Sequence, residues 1–178
     1  MENRDNQQER LLWWFGGIID GEGCITINHN RLHRNTKKET LLFSPQVIIT
    51  NTNKKLIDQC QDILQKEEIP FYVQYKERAK GRRVPCWWIR IQGLKRCLKA
   101  LNIITQYLIA KKEEAILVKE FCEDRINAER TKLHYGNLGH SHYTEKNFEK
   151  ILRIAEIHNR NPQRLYAEIR NYKLQNMI

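Results

Sequence analysis

LWWFGGIIDGEG, residues 12–23, is an apolar run that turns acidic halfway along, and the rest of the chain is organised around it. Leu12 to Ile19 reads as a helix, and Asp20-Gly21-Glu22-Gly23 reads as the turn that stops it, with Gly21 and Gly23 able to take positive φ. A glycine inside a helix costs about 1 kcal/mol relative to alanine, so Gly16-Gly17 calls for compensation. Without Cβ atoms, another helix can approach that backbone closely. At the acidic end, a carboxylate beside a helix C-terminus meets a dipole that is already negative. Two readings stand side by side: a glycine-terminated helix with exposed acids, or a hard divalent cation held by the Glu22 carboxylate and the Gly21 backbone carbonyl.

Outward from this stretch, CITINHN (24–30) and LLFSPQVIIT (41–50) alternate apolar and polar residues with the period of a half-buried strand. Ile25, Ile27, Leu41, Phe43, Val47 and Ile49 point one way; Thr26, Asn28, Asn30, Ser44 and Gln46 point the other. Pro45 suggests an edge position or a bulge. The connection RLHRNTKKET carries Arg31, Arg34, Lys37 and Lys38, and is read either as a solvated loop or as a hairpin tip that touches phosphates. Asn53 is placed to cap a helix whose apolar face is Leu56, Ile57, Cys60, Ile63 and Leu64.

A second hairpin follows. In FYVQYKE (71–77) Phe71, Val73 and Tyr75 are expected in the core, with Gln74, Lys76 and Arg78 outward; in CWWIRIQ (86–92) Trp87, Ile89 and Ile91 go inward, with Trp88 and Arg90 outward. Between them lie Lys80, Arg82 and Arg83. One face of a four-stranded antiparallel sheet is therefore apolar, while the other carries Asn, Gln, Arg, Lys and a Trp. A twisted antiparallel ribbon fits the DNA major groove, where Arg pairs with guanine and Asn or Gln with adenine. Past Gly93 the period turns helical, with a short helix through Leu101 and a longer one over Tyr107 to Asp124.

FGGIIDGEG (15–23) resembles the LAGLIDADG motif of the homing endonucleases, with Phe15 at its first leucine and Glu22 at its last acid. PQVIITNTN (45–53) and QYLIAKKEEAILV (106–118) are similar to further stretches of that family. The resemblance implies an α+β protein of the αββαββα homing-endonuclease fold, with a core over 1–125 and a basic helical extension over 126–178. It implies a metal ligand at Glu22, a water-positioning residue at Asn51, and a basic residue near the scissile phosphate at Lys111, with Lys55 aligned for similar duty. One copy of the motif implies a homodimer paired through Leu12, Phe15, Gly16, Gly17 and Ile19, acting on a near-palindromic double-stranded DNA target with Mg²⁺, for which Mn²⁺ can substitute. Within the same family, an intron RNA-binding maturase or a regulator without catalysis are the alternatives, and the intact Glu22 favours cleavage.

Composition agrees with a polyanionic partner: 31 Lys and Arg against 21 Asp and Glu give a net charge of +10. The five cysteines, 24, 60, 86, 97 and 122, form no CxxC pair, which argues against a zinc ribbon or a disulfide framework. No apolar run is long enough to span a bilayer, and the first ten residues are too charged for a signal peptide, so a protein inside the cell, in cytoplasm or an organelle matrix, is expected. In the tail, HYGNLGHSHY (134–143) reads as a loop, and Thr144 and Asn161-Pro162 each open a helix that packs on the flank and extends DNA contact through Lys132, Arg160 or Arg164.

Overall fold

The computed structural model describes residues 2–32, 40–77, 84–131 and 143–176. In chain order these form α1 (Glu2–Glu22), β1 (Gly23–Leu32), β2 (Thr40–Asn51), α2 (Lys54–Lys66), β3 (Tyr72–Lys76), β4 (Cys86–Gln92), α3 (Leu94–Ile104), a single 3₁₀ turn over Thr105–Tyr107, α4 (Lys112–Thr131), α5 (Glu145–Ile157) and α6 (Pro162–Asn176). The four strands form one antiparallel sheet in the order β1-β2-β4-β3. This is the α+β arrangement that the alternating segments predict, with helices on one face.

The apolar halves of the strands build the core. Ile25, Val47, Ile49, Ile89 and Ile91 are all within 1% of complete burial, and they pack with Phe15, Ile19, Ile57, Leu64, Leu101 and Phe121 from the helices. Asn53 caps α2, its side chain accepting from the N–H groups of Lys55 and Leu56. Thr144 and Asn147 make a reciprocal capping box at α5, and Asn161 Oδ1 accepts from the N–H of Arg164 at the start of α6. Pro45 lies in an interior strand and not at an edge, but the ladder between β2 and β4 reaches only Gln46↔Gln92, so its missing N–H falls beyond that pairing.

Three expectations are corrected. The first helix does not stop at Ile19 but runs through Glu22, and the only described glycine with positive φ is Gly93. Gly23 is needed for space instead: a Cβ there would lie 2.5 Å from the Ile19 carbonyl oxygen, because β1 leaves the helix end directly. The helix expected from Tyr107 begins only at Lys112, after extended backbone at Leu108. Val73 and Tyr75 hold the expected face yet remain 36% and 46% exposed, because β3 is an edge strand that the helix layer does not cover. Among the described residues, no helix is long and apolar enough to cross a membrane.

Candidate active site and nucleic-acid interface

The acidic end of α1 is fastened to the start of α4 by a reciprocal clasp. Asp20 Oδ2 accepts from the N–H groups of Ile109 (2.7 Å) and Ala110 (3.1 Å), and its Oδ1 accepts from that of Lys111 (2.9 Å). These N–H groups belong to the turn that leads into α4, so Asp20 pins the entry of that helix across 91 residues of sequence. In return Lys111 Nζ donates to the carbonyls of Ile19, at 3.1 Å, and of Asp20, which the end of α1 leaves open. The long predicted helix breaks before Lys112 because these N–H groups turn toward the carboxylate.

Partial burial pushes the Asp20 carboxyl upward, but the three N–H bonds and the Lys111 ammonium outweigh it and hold the group below its ordinary range. The folded pKa therefore lies under the unfolded one. The stabilisation is complete above the unfolded value, about 4, and is lost as pH falls through the lower folded value. Asp20→Asn is accordingly expected to cost about 1–2 kcal/mol at neutral pH, the worth of charged over neutral hydrogen bonding to backbone N–H groups. Thermal unfolding of both proteins across a pH series checks this: the gap closes as the pH drops below about 4, where wild-type Asp20 also becomes neutral. A gap that stayed constant would remove the charge from the explanation.

Two residues beyond Asp20, Glu22 is exposed, and among the described residues no cation pairs with it. Gly21 is exposed too, with nothing within 4 Å of where a Cβ would stand. The register Gly23↔Ile49 brings this end level with Thr50 and Asn51. Asn51 Oδ1 accepts from the Asn53 N–H at 2.8 Å, so its oxygen holds the β2–α2 turn and its amide NH₂ is the group left for solvent. Lys55 is exposed in the first turn of α2. Among the described residues, no group of three or more His, Cys, Asp or Glu side chains could hold a metal.

The sheet face turned away from the helices is ordered in rows. Cys24, Ile48, Arg90 and Tyr72 align across it, as do Thr26, Gln46 and Gln92, and Thr50, Trp88 and Gln74. Asn28 and Gln74 are exposed; Ser44, Lys76, Trp88 and Arg90 are half-buried. Lys76 Nζ sits 3.4 Å from the Trp88 ring centre and the Arg90 guanidinium 5.8 Å from it, a cationic and aromatic cluster at one end of the face. Ser44 Oγ accepts from Gln92 Nε2 at 3.3 Å.

Thr26 and Gln46 require correction. They lie on the expected face but are only 1% and 2% exposed. Gln46 is enclosed in an interior strand, and Thr26 Oγ1 accepts from Arg160, which reaches it from the turn between α5 and α6. Asn30 and Arg31 lie in β1 with their side chains outside the description, and Arg34, Lys37, Lys38, Arg78, Lys80, Arg82, Arg83, Lys132 and residues 134–142 fall outside the described residues.

A sequence model of the LAGLIDADG endonucleases matches residues 15–122, more than half of the chain. The chain belongs to the LAGLIDADG endonuclease family. No curated protein matches it. Solved structures with the same fold include the homing endonuclease I-CvuI in complex with its target, at 14% identity over 84% of this chain and 78% of that one, with a TM-score of 0.55. The archaeal intron-encoded homing endonuclease I-Vdi141I complexed with DNA matches at 15% identity over 86% and 82%, with a TM-score of 0.54. The homing endonuclease I-TnaI matches at 19% identity over 90% and 96%, with a TM-score of 0.55.

In this LAGLIDADG protein the motif helix has two distinct faces, and most of the residues expected for pairing lie on the one that packs within the protomer. Leu12 and Gly16 are buried, and Phe15 and Ile19 are completely enclosed, all within their own protomer. A Cβ on Gly16 would lie 2.4 Å from the Tyr107 carbonyl oxygen, so this glycine admits the 3₁₀ turn that precedes the clasp. Of the expected pairing residues only Gly17 is exposed, in line with Arg10, Trp13 and Gly21 along the opposite stripe. Trp13, half-exposed, meets Tyr107 edge-on at 5.2 Å. Sequence reasoning missed the bonds from Asp20 to the turn before α4, the Tyr107 contact and the reach of Arg160 to Thr26; each joins residues far apart in the chain and left no local signal.

Proposed function

We propose that the chain acts as a homodimeric, metal-dependent endonuclease that hydrolyses both strands of a long, near-palindromic DNA target. The observation that carries this is the clasp, which commits Asp20 and Lys111 to holding the end of α1 while Glu22 stays exposed and unpaired among the described residues. An exposed carboxylate beside a glycine fits a hard cation such as Mg²⁺, which is bound through few protein oxygens and keeps much of its water. Glu22 and the Gly21 carbonyl would hold it, with Mn²⁺ an alternative. When bound, the cation supplies Lewis acidity to a water and to the phosphate oxygens.

The protein's own contribution is placement. Lys111, tied to the α1 carbonyls, sets a positive charge near the acidic turn, where it offsets charge developing on a phosphate. The Asn51 amide and Lys55 stand on the neighbouring β2–α2 corner, within the same end of the sheet, to orient water and substrate. Asn28, Ser44, Gln74, Lys76, Trp88 and Arg90 form the DNA-reading face. Pairing two α1 helices along the exposed stripe of Arg10, Trp13, Gly17 and Gly21 would bring two acidic turns together at a two-fold axis, and a two-fold protein selects a target of like symmetry.

A second reading, RNA binding, is favoured by one observation: Tyr75 and Trp87 pair at 4.8 Å with Lys54 Nζ 4.9 Å from the Trp87 ring, on the opposite side of the sheet from the DNA-reading rows. Aromatic and cationic groups of this kind stack unpaired bases. The test is incubation with a randomised duplex library, with Mg²⁺ or a chelator, followed by sequencing of cut ends. Metal-dependent cuts at one near-palindromic site support the endonuclease; selective binding without cuts in either condition sinks it.

A further inference from the structure

The turn between α5 and α6 carries an arginine around the edge of the sheet. Arg160 Nη1 donates to Thr26 Oγ1 at 3.1 Å, and Nη2 donates to Cys24 Sγ at 3.6 Å. Both acceptors belong to the face away from the helices, and β1 is an edge strand, which is why a residue from the helical side can reach them. Cys24 is two residues from Glu22. The guanidinium, not the Thr26 hydroxyl, is therefore the outermost group at this place on the face.

Two further observations describe the surroundings of Arg160. Its neighbours Asn159 and Asn161 both hold left-handed backbone, at φ 49° and 34°, which asparagine adopts readily, and the N–H groups of Asn159 and Arg160 close the end of α5 on the Glu156 and Ala155 carbonyls. Elsewhere in the C-terminal helices Lys150 pairs with Asp124 and Glu120, Arg153 with Glu113 and Glu156, Arg164 with Glu168 and Lys173 with Glu145, while Lys146 and Arg170 show no ion pair among the described residues. No described carboxylate pairs with Arg160, which is itself exposed. A guanidinium has five N–H donors, and a hydroxyl and a thiol occupy few of them.

We infer that Arg160 is a phosphate-binding residue of the nucleic-acid face, delivered by the C-terminal helices to the start of β1 beside the acidic turn. An arginine fits the paired oxygens of a phosphodiester better than it fits a hydroxyl and a thiol, which serve here to aim it. The inference rests on the DNA-binding reading of this face proposed above.

The test uses the full chain and a mixed-sequence DNA duplex in chelator, so that no cleavage intervenes, with affinity measured over a KCl series. Each phosphate contact contributes about 0.9 to the slope of log affinity against log salt. Arg160→Gln, which keeps an amide donor for Thr26 but loses the charge, is expected to make that slope shallower by about one per protomer. Arg160→Lys restores it, and Thr26→Val, which removes the fastening while keeping the charge, leaves it unchanged. An unaltered slope in Arg160→Gln overturns the inference, whereas wild type without affinity for duplex overturns the parent reading as well. On the wild-type protein, phenylglyoxal should modify Arg160 in the free state and be excluded by duplex; equal modification with and without DNA also overturns the inference, whatever the variants do to folding.

Discussion

Glu22→Gln is expected to give a folded protein that binds DNA and does not cut it. Glu22 is exposed and bonded to no described cation, so an isosteric amide removes no packing and no internal ion pair. What it removes is a negative charge where the proposed cation would sit. Losing several kcal/mol of metal-assisted stabilisation corresponds to on the order of 10³-fold or more in rate. Binding in low salt should stay within a few-fold of wild type, because the phosphate-facing cations are elsewhere. Single-turnover cleavage of a target recovered from the library, beside a binding isotherm, separates the two. A Glu22→Gln protein that cuts at the wild-type rate would remove Glu22 from the site.

The adjacent glycines of α1 should part company. In Gly16→Ala the new methyl meets the Tyr107 backbone at 2.4 Å, and backbone held in a 3₁₀ turn cannot yield as a side-chain tip does. Overpacking of that kind costs about 3 kcal/mol, or roughly 10 °C in Tm for a chain of this size. Gly17→Ala meets nothing within 4 Å and gains helix propensity, so the fold is expected to be unharmed or stabilised by up to about 1 kcal/mol. On the proposed pairing, however, Gly17 is where a second α1 approaches, and the added methyl should shift the protein toward monomer and depress cleavage. Sedimentation and thermal unfolding of both variants decide it. A Gly17→Ala protein that remains a fully active dimer would move the pairing surface off this stripe.

The paired glycines also show where the sequence could be read and where it could not. The alternation in β1, β2 and β4 placed the core side of each strand, and Asn53, Thr144 and Asn161 marked helix starts, because strand period and capping are local physics. The motif put Glu22 at the end of the first helix, where it stands exposed. Which glycine serves the protomer and which faces outward depends on Tyr107, some ninety residues away, and no local pattern encodes that distance. The same holds for Asp20, whose partners are the N–H groups of Ile109, Ala110 and Lys111, and for Thr26, whose burial follows from Arg160 in a distant turn. Val73 and Tyr75 alternate correctly but stay in solvent, since period reports a face and not what lies over it.

The Asp20–Lys111 clasp has a consequence for how the protein fails. The carboxylate holds the turn that enters α4 and the ammonium holds the last carbonyls of α1, so the entry to α4 and the last turn of α1 are expected to open together. Native proteins open in cooperative pieces whose free energies lie well below that of global unfolding. Here the piece that carries Glu22 is joined to a helix start, while the sheet is held by its own ladders and core. Warming should therefore release the acidic turn while the strands remain protected from hydrogen exchange, so that the proposed cleavage is lost before the fold and returns on cooling.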